Sequence, residues 1–272
     1  MLLGQALVLG LVQGLTEFIP ISSTAHLRIV PAVLGWPDPG AAFSAVIQLG
    51  TLAAVLVYFQ ADLRRLLVAG LRSLWSAPAR ATRDARLAWA IVAGNVPIVA
   101  LGLTFRGAIE TQARSLPLIA AMLIAVALLL ALAERRAARR LGVEALRLRQ
   151  VLAIGLWQAL ALIPGTSRSG ATILGGLLAG LRREDAARFS FLLGVPAILG
   201  SGLLELHALL SHGAGNGGPA LLLGLAVSAL SGYAAIGFLL RFLRTHSTAA
   251  FIVYRLALGG LVLALWAGGL VR

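Results

Sequence analysis

Residues 150–172 read QVLAIGLWQALALIPGTSRSGAT. An apolar run stops at Pro164-Gly165, four polar residues follow (Thr166-Ser167-Arg168-Ser169), and small apolar sequence then resumes. Proline ends the first helix because it lacks an N–H and clashes with the preceding turn. Neither half is long enough to cross a hydrocarbon core, which takes about 20 helical residues. A break at membrane depth is tolerated only where protein or a wet cavity covers the freed backbone. The stretch 150–181 therefore reads as a re-entrant helical hairpin. Residues 1–40 read the same way, with an apolar run broken at Pro20 and followed by Ser22-Ser23-Thr24 and His26.

The rest of the chain supplies the membrane around these hairpins. Of 272 residues, 59% are hydrophobic and 12% charged, about half the charge of an ordinary soluble domain; the mean hydropathy is +0.92. Six segments are apolar enough to span, at about 43–59, 88–105, 115–133, 189–208, 220–240 and 249–271. The fold expected is an all-α integral membrane protein, one domain over 1–272, of about six transmembrane helices plus two hairpins. The N-terminus has no positive region and its first charge is Glu17, so no cleaved signal peptide is read. With no cysteine, disulfides and thiolate metal sites are excluded.

The net charge of +13 comes entirely from arginine, since all 23 basic residues are arginine. They sit mainly in loops between apolar runs, which argues for cytoplasmic loops and against nucleic-acid binding. One loop holds Arg64, Arg65, Arg72, Arg80, Arg83 and Arg86, and another Arg135, Arg136, Arg139, Arg140, Arg147 and Arg149. Arg182, Arg183, Arg188, Arg241 and Arg244 flank two further connections, while the opposite loops carry Arg106, Arg114 and terminal Arg272. The positive-inside rule then puts both termini outside. The stretch 61–87 reads as an amphipathic interfacial helix plus loop.

The two hairpins resemble each other. Gly10-Leu11-Val12-Gln13-Gly14-Leu15 matches Gly155-Leu156-Trp157-Gln158-Ala159-Leu160; Ile19-Pro20 matches Ile163-Pro164; Phe43-Ser44 matches Phe189-Ser190. Each half, about 1–133 and 150–271, is one hairpin plus three crossings, joined by the basic loop 134–149. Three is odd, so the second half is inverted, an arrangement that places a site near the midplane where the hairpin tips meet.

Two ionised side chains, Glu17 and Arg168, fall at that depth, where each charge costs roughly 2.5–3.5 kcal/mol or more. One reading is a simple ion pair locking the halves together. The surrounding residues argue for more. Gly165 and Gly170 let backbone approach a ligand. Ser167, Ser169 and Thr172 offer hydroxyls at a helix start, where free N–H groups attract anions. Arginine adds a planar fork that fits phosphate. In the first hairpin Gln13 and Glu17 share one helical face. Glu17 can be a base or hold a divalent cation, Ser22 or Ser23 a nucleophile, and His26 a proton carrier; helix capping is the plainer reading of Ser22, Ser23 and Thr24. Glu205 and Arg255, within or near spans, read as a structural pair, and Asn95 with Pro97 as a kink. His207, His212 and His246 read as loop residues.

These residues resemble the BacA-type undecaprenyl-diphosphatases. Gln13-Gly14-Leu15-Thr16-Glu17 is similar to the family's [E/Q]-x-x-x-E motif, Ser22-Ser23-Thr24-Ala25-His26 to its S-S-T-[GA]-H run, and residues 164–172 to P-G-x-S-R-S-x-x-T at every fixed position. The resemblance implies hydrolysis of undecaprenyl diphosphate to the monophosphate, recycling the cell-wall carrier lipid in the bacterial inner membrane and conferring bacitracin resistance. It implies a metal or base position at Glu17 and Gln13, with Mg or Ca, and a diphosphate-binding position at Ser167, Arg168 and Thr172. Ser23 and His26 become candidate nucleophile and proton carrier. Gln13 is the weaker choice at the first acidic position, since one carboxylate alone binds a metal poorly. The partners expected are the polyprenyl diphosphate lipid and the bilayer, with a homodimer as an option. The rival reading is an inverted-repeat transporter or flippase for polyprenyl phosphate lipids.

Overall fold

A computed structural model describes residues 2–105, 115–211 and 218–271. Arg106, Arg114, His212 and Arg272, weighed above, lie outside the described residues. Among those described, all the regular structure is helical apart from one isolated parallel bridge, Leu141 with Leu181.

The first broken segment forms α1 (Leu3–Phe18) and α2 (Ser23–Leu34), which pack on each other. Helix α1 stops one residue before Ile19-Pro20, and α2 restarts at an N-cap serine, Ser22, whose hydroxyl accepts from the Ala25 N–H. Gly35, with φ +67, closes α2 in the left-handed conformation. Helix α3 (Gly40–Tyr58) follows and turns through 82° into α4 (Gln60–Trp75). That bend makes 61–75 the amphipathic element expected from its arginines, with Leu67 and Trp75 exposed on its apolar side. After the short α5 (Ala77–Arg80) come α6 (Arg83–Thr104) and α7 (Leu116–Arg136).

The second broken segment is α8 (Leu148–Ala159), a 3₁₀ turn at Leu160–Leu162, and α9 (Arg168–Leu178), again packed as a pair. Three long helices finish the chain, α10 (Arg183–Ser211), α11 (Gly218–Thr245) and α12 (Ala249–Ala267). Among the described residues five helices, α6, α7, α10, α11 and α12, are long and apolar enough to span, and the count becomes six if bent α3–α4 is taken as one broken span. Helices α10 and α11 run past the expected limits because Arg183, Glu184, Asp185 and Arg244 continue them beyond the apolar core.

Asn95 and Pro97 do not interrupt α6. Asn95 Nδ2 donates to the Ile91 and Leu193 carbonyls at 2.8 and 2.9 Å, and its Oδ1 accepts from Gln158 Nε2 at 3.2 Å. The residue therefore fastens α6 to α8 and α10.

Each broken pair is seated on a helix from the other half of the chain. Helix α1 crosses α11 with Gly10 against the Gly224 carbonyl, and α8 crosses α6 with Gly155 against the Gly94 carbonyl; a methyl group at Gly10 or Gly155 would collide with that backbone. Ser22 and Ser167 also match. Both have positive φ, 76° and 70°, and both cap the following helix through the hydroxyl.

At the arginine-rich end one carboxylate ties three connections together. Glu134, at the end of α7, accepts from Arg183 through both oxygens (2.7–3.1 Å), from Arg139 at 2.9 Å, and from the Thr248 N–H and hydroxyl at 3.0 and 2.9 Å. Its side chain is only 10% exposed, so these bonds are weakly screened. Removing it strands two guanidiniums and a buried N–H. Glu134→Ala should cost about 2 kcal/mol, under the 3–5 kcal/mol of a fully buried pair because the arginines are partly wet. Thermal unfolding in detergent reads this as a midpoint lowered by several degrees; an unchanged midpoint would mean that α12 is held by packing alone.

Candidate active site

The polar break of each hairpin is turned toward the other. Glu17, near the end of α1, is the hub. Its Oε2 accepts from Gln13 Nε2 at 3.0 Å and from the Ser23 hydroxyl at 2.6 Å; its Oε1 accepts from an Arg168 amino group at 3.1 Å. The Glu17 and Arg168 side chains are 4% and 10% exposed. Helical spacing of four brings Gln13 onto Glu17, and the turn at 19–22 folds Ser23 back over it. The Arg168 guanidinium also donates to the Ser190 carbonyl at 3.3 Å, and Gly194 leaves the room it occupies.

The remaining hydroxyls hold the frame. Ser169 donates to the Glu17 and Ile19 carbonyls at 3.0 and 3.3 Å, satisfying acceptors that the first break had freed. Thr172 donates back to the Arg168 carbonyl at 2.7 Å and pairs with the Ser190 hydroxyl. Ser22 pairs with Thr24 at 3.2 Å, and Ser167 with Ser169 at 3.1 Å, each beside its N-cap bond. Gly165, at φ +92, presses against the Ile119 carbonyl, where a Cβ has no space. Gln13 Oε1, Gln158 Oε1 and Thr166 Oγ1 are buried with no hydrogen-bond partner.

His26 stands apart from this cluster. Its Nδ1 lies 2.7 Å from the Ser22 carbonyl, so that nitrogen must carry a proton. In the neutral ring Nε2 then accepts from the Tyr254 hydroxyl, also at 2.7 Å, and the two rings stack at 5.7 Å. None of its hydrogen bonds reaches Ser23 or Glu17.

Arg255 of α12 is fully buried and makes five hydrogen bonds, all to main-chain carbonyls: Pro20 in one break, Gly165 and Thr166 in the other, and Met122 and Leu123 on α7. None of the five reaches Glu205, so the expected structural pair is replaced by a clasp on both breaks. Tyr254, Arg255, Ser190 and Gly194 were not singled out as site residues from sequence. An arginine inside the apolar run of α12 was nonetheless a signal, since intramembrane charge is expensive. The centre holds one carboxylate against two guanidiniums, Arg168 and Arg255. These three charges leave the centre with one more cation than anion.

Two broken helices that meet at a buried carboxylate and two arginines, within a bundle of membrane-spanning helices, define a polytopic membrane protein with a polar centre, and comparison narrows the class. Residues 6–261 match the family described as bacitracin resistance protein BacA, and the chain belongs to that family. It is 54% identical to an undecaprenyl-diphosphatase of Myxococcus xanthus (strain DK1622), over 96% of this chain and 88% of the relative. It is 50% identical to one from Prosthecochloris aestuarii (strain DSM 271 / SK 413), over the whole of both chains. It is 49% identical to one from Chloroherpeton thalassium (strain ATCC 35110 / GB-78), over 97% of each.

Proposed function

We propose that this protein hydrolyses undecaprenyl diphosphate to undecaprenyl phosphate and inorganic phosphate at the meeting point of the two breaks. The observation that carries the reading is the Ser23 hydroxyl held 2.6 Å from a Glu17 carboxylate that is itself paired with Arg168. A serine needs an adjacent base to become a nucleophile, and a transferring phosphoryl group needs a fixed cation.

In the proposed reaction the terminal phosphate enters beside Arg168 and competes with Glu17 for the guanidinium. Arg168 turns to the phosphate oxygens and Glu17 is released to act as base. Ser23 Oγ attacks the terminal phosphorus as its proton passes to Glu17; the bond from phosphorus to the bridging oxygen breaks, and lipid monophosphate leaves. Water then attacks the phosphoserine, returns the Oγ to Ser23 and releases inorganic phosphate. Arg168 and the first-turn N–H groups of α9 stabilise the charge on the phosphoryl oxygens. Gly165 gives backbone access, Ser167, Ser169 and Thr172 hold the second break in shape, and Ser22 and Thr24 do so for the first. His26 carries protons, with its tautomer set by the Ser22 carbonyl and its Nε2 met by the Tyr254 hydroxyl.

No cluster of three or more His, Cys, Asp or Glu occurs among the described residues, and one carboxylate is too few oxygens to hold a divalent ion without help. The orphaned Gln13 Oε1 beside Glu17 nevertheless fits a shared site. Together with the diphosphate oxygens, Gln13 and Glu17 would hold Mg or Ca, which would neutralise charge on the departing phosphate.

In purified protein, Glu17→Gln, Arg168→Ala and Ser23→Ala should each lower phosphate release from undecaprenyl diphosphate at least a hundredfold, roughly the size of one nucleophile, base or charge-stabilising interaction. Ser23→Ala with full activity would move the attack to water. Stereochemistry separates the routes independently: a chiral terminal phosphoryl group should be released with retention, because two in-line displacements occur, and inversion would eliminate phosphoserine.

The crossings of α1 on α11 and of α8 on α6 support two inverted repeats, about 1–133 and 150–271, with re-entrant hairpins. They also keep the transporter reading open, and a protein that binds diphosphate without releasing phosphate would be such a transporter. The membrane proposed is the bacterial inner membrane, with loop 134–149 in the cytoplasm and both termini outside; a homodimer is compatible with this arrangement. The chain has no cysteine, so a single thiol added at either end reports sidedness. Labelling by an impermeant reagent in intact spheroplasts is expected, and labelling only after lysis would reverse the orientation.

A further inference from the structure

One face of α11 carries a groove whose lining includes no residue of the broken helices. Ala234, Gly237, Arg241 and Arg244 follow one stripe of this helix, at helical spacing. Two adjoining hollows open on that stripe, about 650 and 220 Å³, and share Tyr58, Gly237 and Arg241 as lining. The larger is within the range of small-molecule sites.

The larger hollow is a slot with a polar mouth. Ala234 and Gly237 have almost no side chain and so notch the helix surface. Rings wall the notch: Tyr58 with Tyr233 at 5.3 Å on one side, and Phe238, Phe242 and His246 stacked in series at 5.6 and 4.5 Å on the other. Tyr233 and Phe238 are exposed, so the slot opens sideways toward lipid. At its upper end charge is unbalanced. Arg188 is held by Asp62 at 2.6 Å and Arg244 by Glu184 at 3.1 Å. Arg241 is exposed and has neither hydrogen bond nor ion pair among the described residues. A free guanidinium over an aromatic slot at the arginine-rich end of a spanning helix matches one chemistry: a phosphate joined to a hydrocarbon chain.

We propose that this groove binds an anionic phospholipid, with an acyl chain along Ala234 and Gly237 and the headgroup phosphate on Arg241. The phospholipid is favoured over the protein's own lipid phosphate because the hollow shares no lining residue with the two breaks, where that lipid is proposed to react.

Native mass spectrometry of the detergent-purified chain tests this, with phosphatidylglycerol and phosphatidylcholine as probes. The wild type should retain one phosphatidylglycerol and prefer it over phosphatidylcholine about fivefold, the usual effect of one interfacial arginine on anionic lipid. Arg241→Gln should lose the preference yet still bind both lipids weakly, and Gly237→Leu should lose both by filling the notch. Each variant should release phosphate from undecaprenyl diphosphate at the wild-type rate, which shows that it is folded. Equal retention of the two lipids by the wild type, or a preference undiminished in Arg241→Gln, would overturn the proposal. So would displacement of phosphatidylglycerol by undecaprenyl phosphate at equal concentration, which would give the groove to the product instead.

Discussion

A broken helix in an apolar protein leaves peptide groups with no partner, and two such breaks meet in this structure. Each freed carbonyl must be satisfied from within the protein, because lipid offers nothing. Arg255 meets that demand from a third helix, donating to Pro20 in one break and to Gly165 and Thr166 in the other. Ser169 covers the Glu17 and Ile19 carbonyls from the opposite hairpin. Only with the breaks fixed in this way do Glu17, Ser23 and Arg168 come within hydrogen-bond distance. The arrangement of these three side chains is thus tied to satisfying the backbone.

The same centre stores strain and charge. Ser22 and Ser167 are held at positive φ, a region that costs a non-glycine residue about 1–3 kcal/mol. Glycine would relieve the backbone but would lose the capping hydroxyl that each serine offers its helix. Charge is likewise left one anion short. The charge imbalance lies at the breaks, whereas the outer clamp at Glu134 has every oxygen engaged, with one of its partners, Arg139, also held at positive φ, 51°.

Much of this was legible from residue order. Pro20 and Pro164 marked the breaks because proline cannot continue a helix, and the apolar runs marked the five long spanning helices and bent α3. The run Pro164-Gly165-Thr166-Ser167-Arg168 marked the second break and placed Arg168 at the start of the following helix, where the structure has it. What stayed hidden were contacts between distant parts of the chain. Arg255 could be seen as a charge in an apolar helix, but its acceptors are carbonyls, which carry no sequence signal. Tyr254 as the partner of His26 and Glu134 as a clamp were invisible for the same reason. The links that Asn95 makes across helices, to Leu193 and Gln158, were hidden in the same way.

The seating of each hairpin on the far half of the chain bears on how the protein is made. Pro20 is anchored by a residue 235 positions downstream, and Gly10 rests against Gly224 on α11. The first hairpin leaves the ribosome long before its seat exists. It cannot be completed in order of synthesis, and it must wait at the translocon or the membrane surface until α11 and α12 arrive. Assembly of this membrane protein is closed by its last helix, and a chain that stops short of α12 lacks the group that holds its earliest turn.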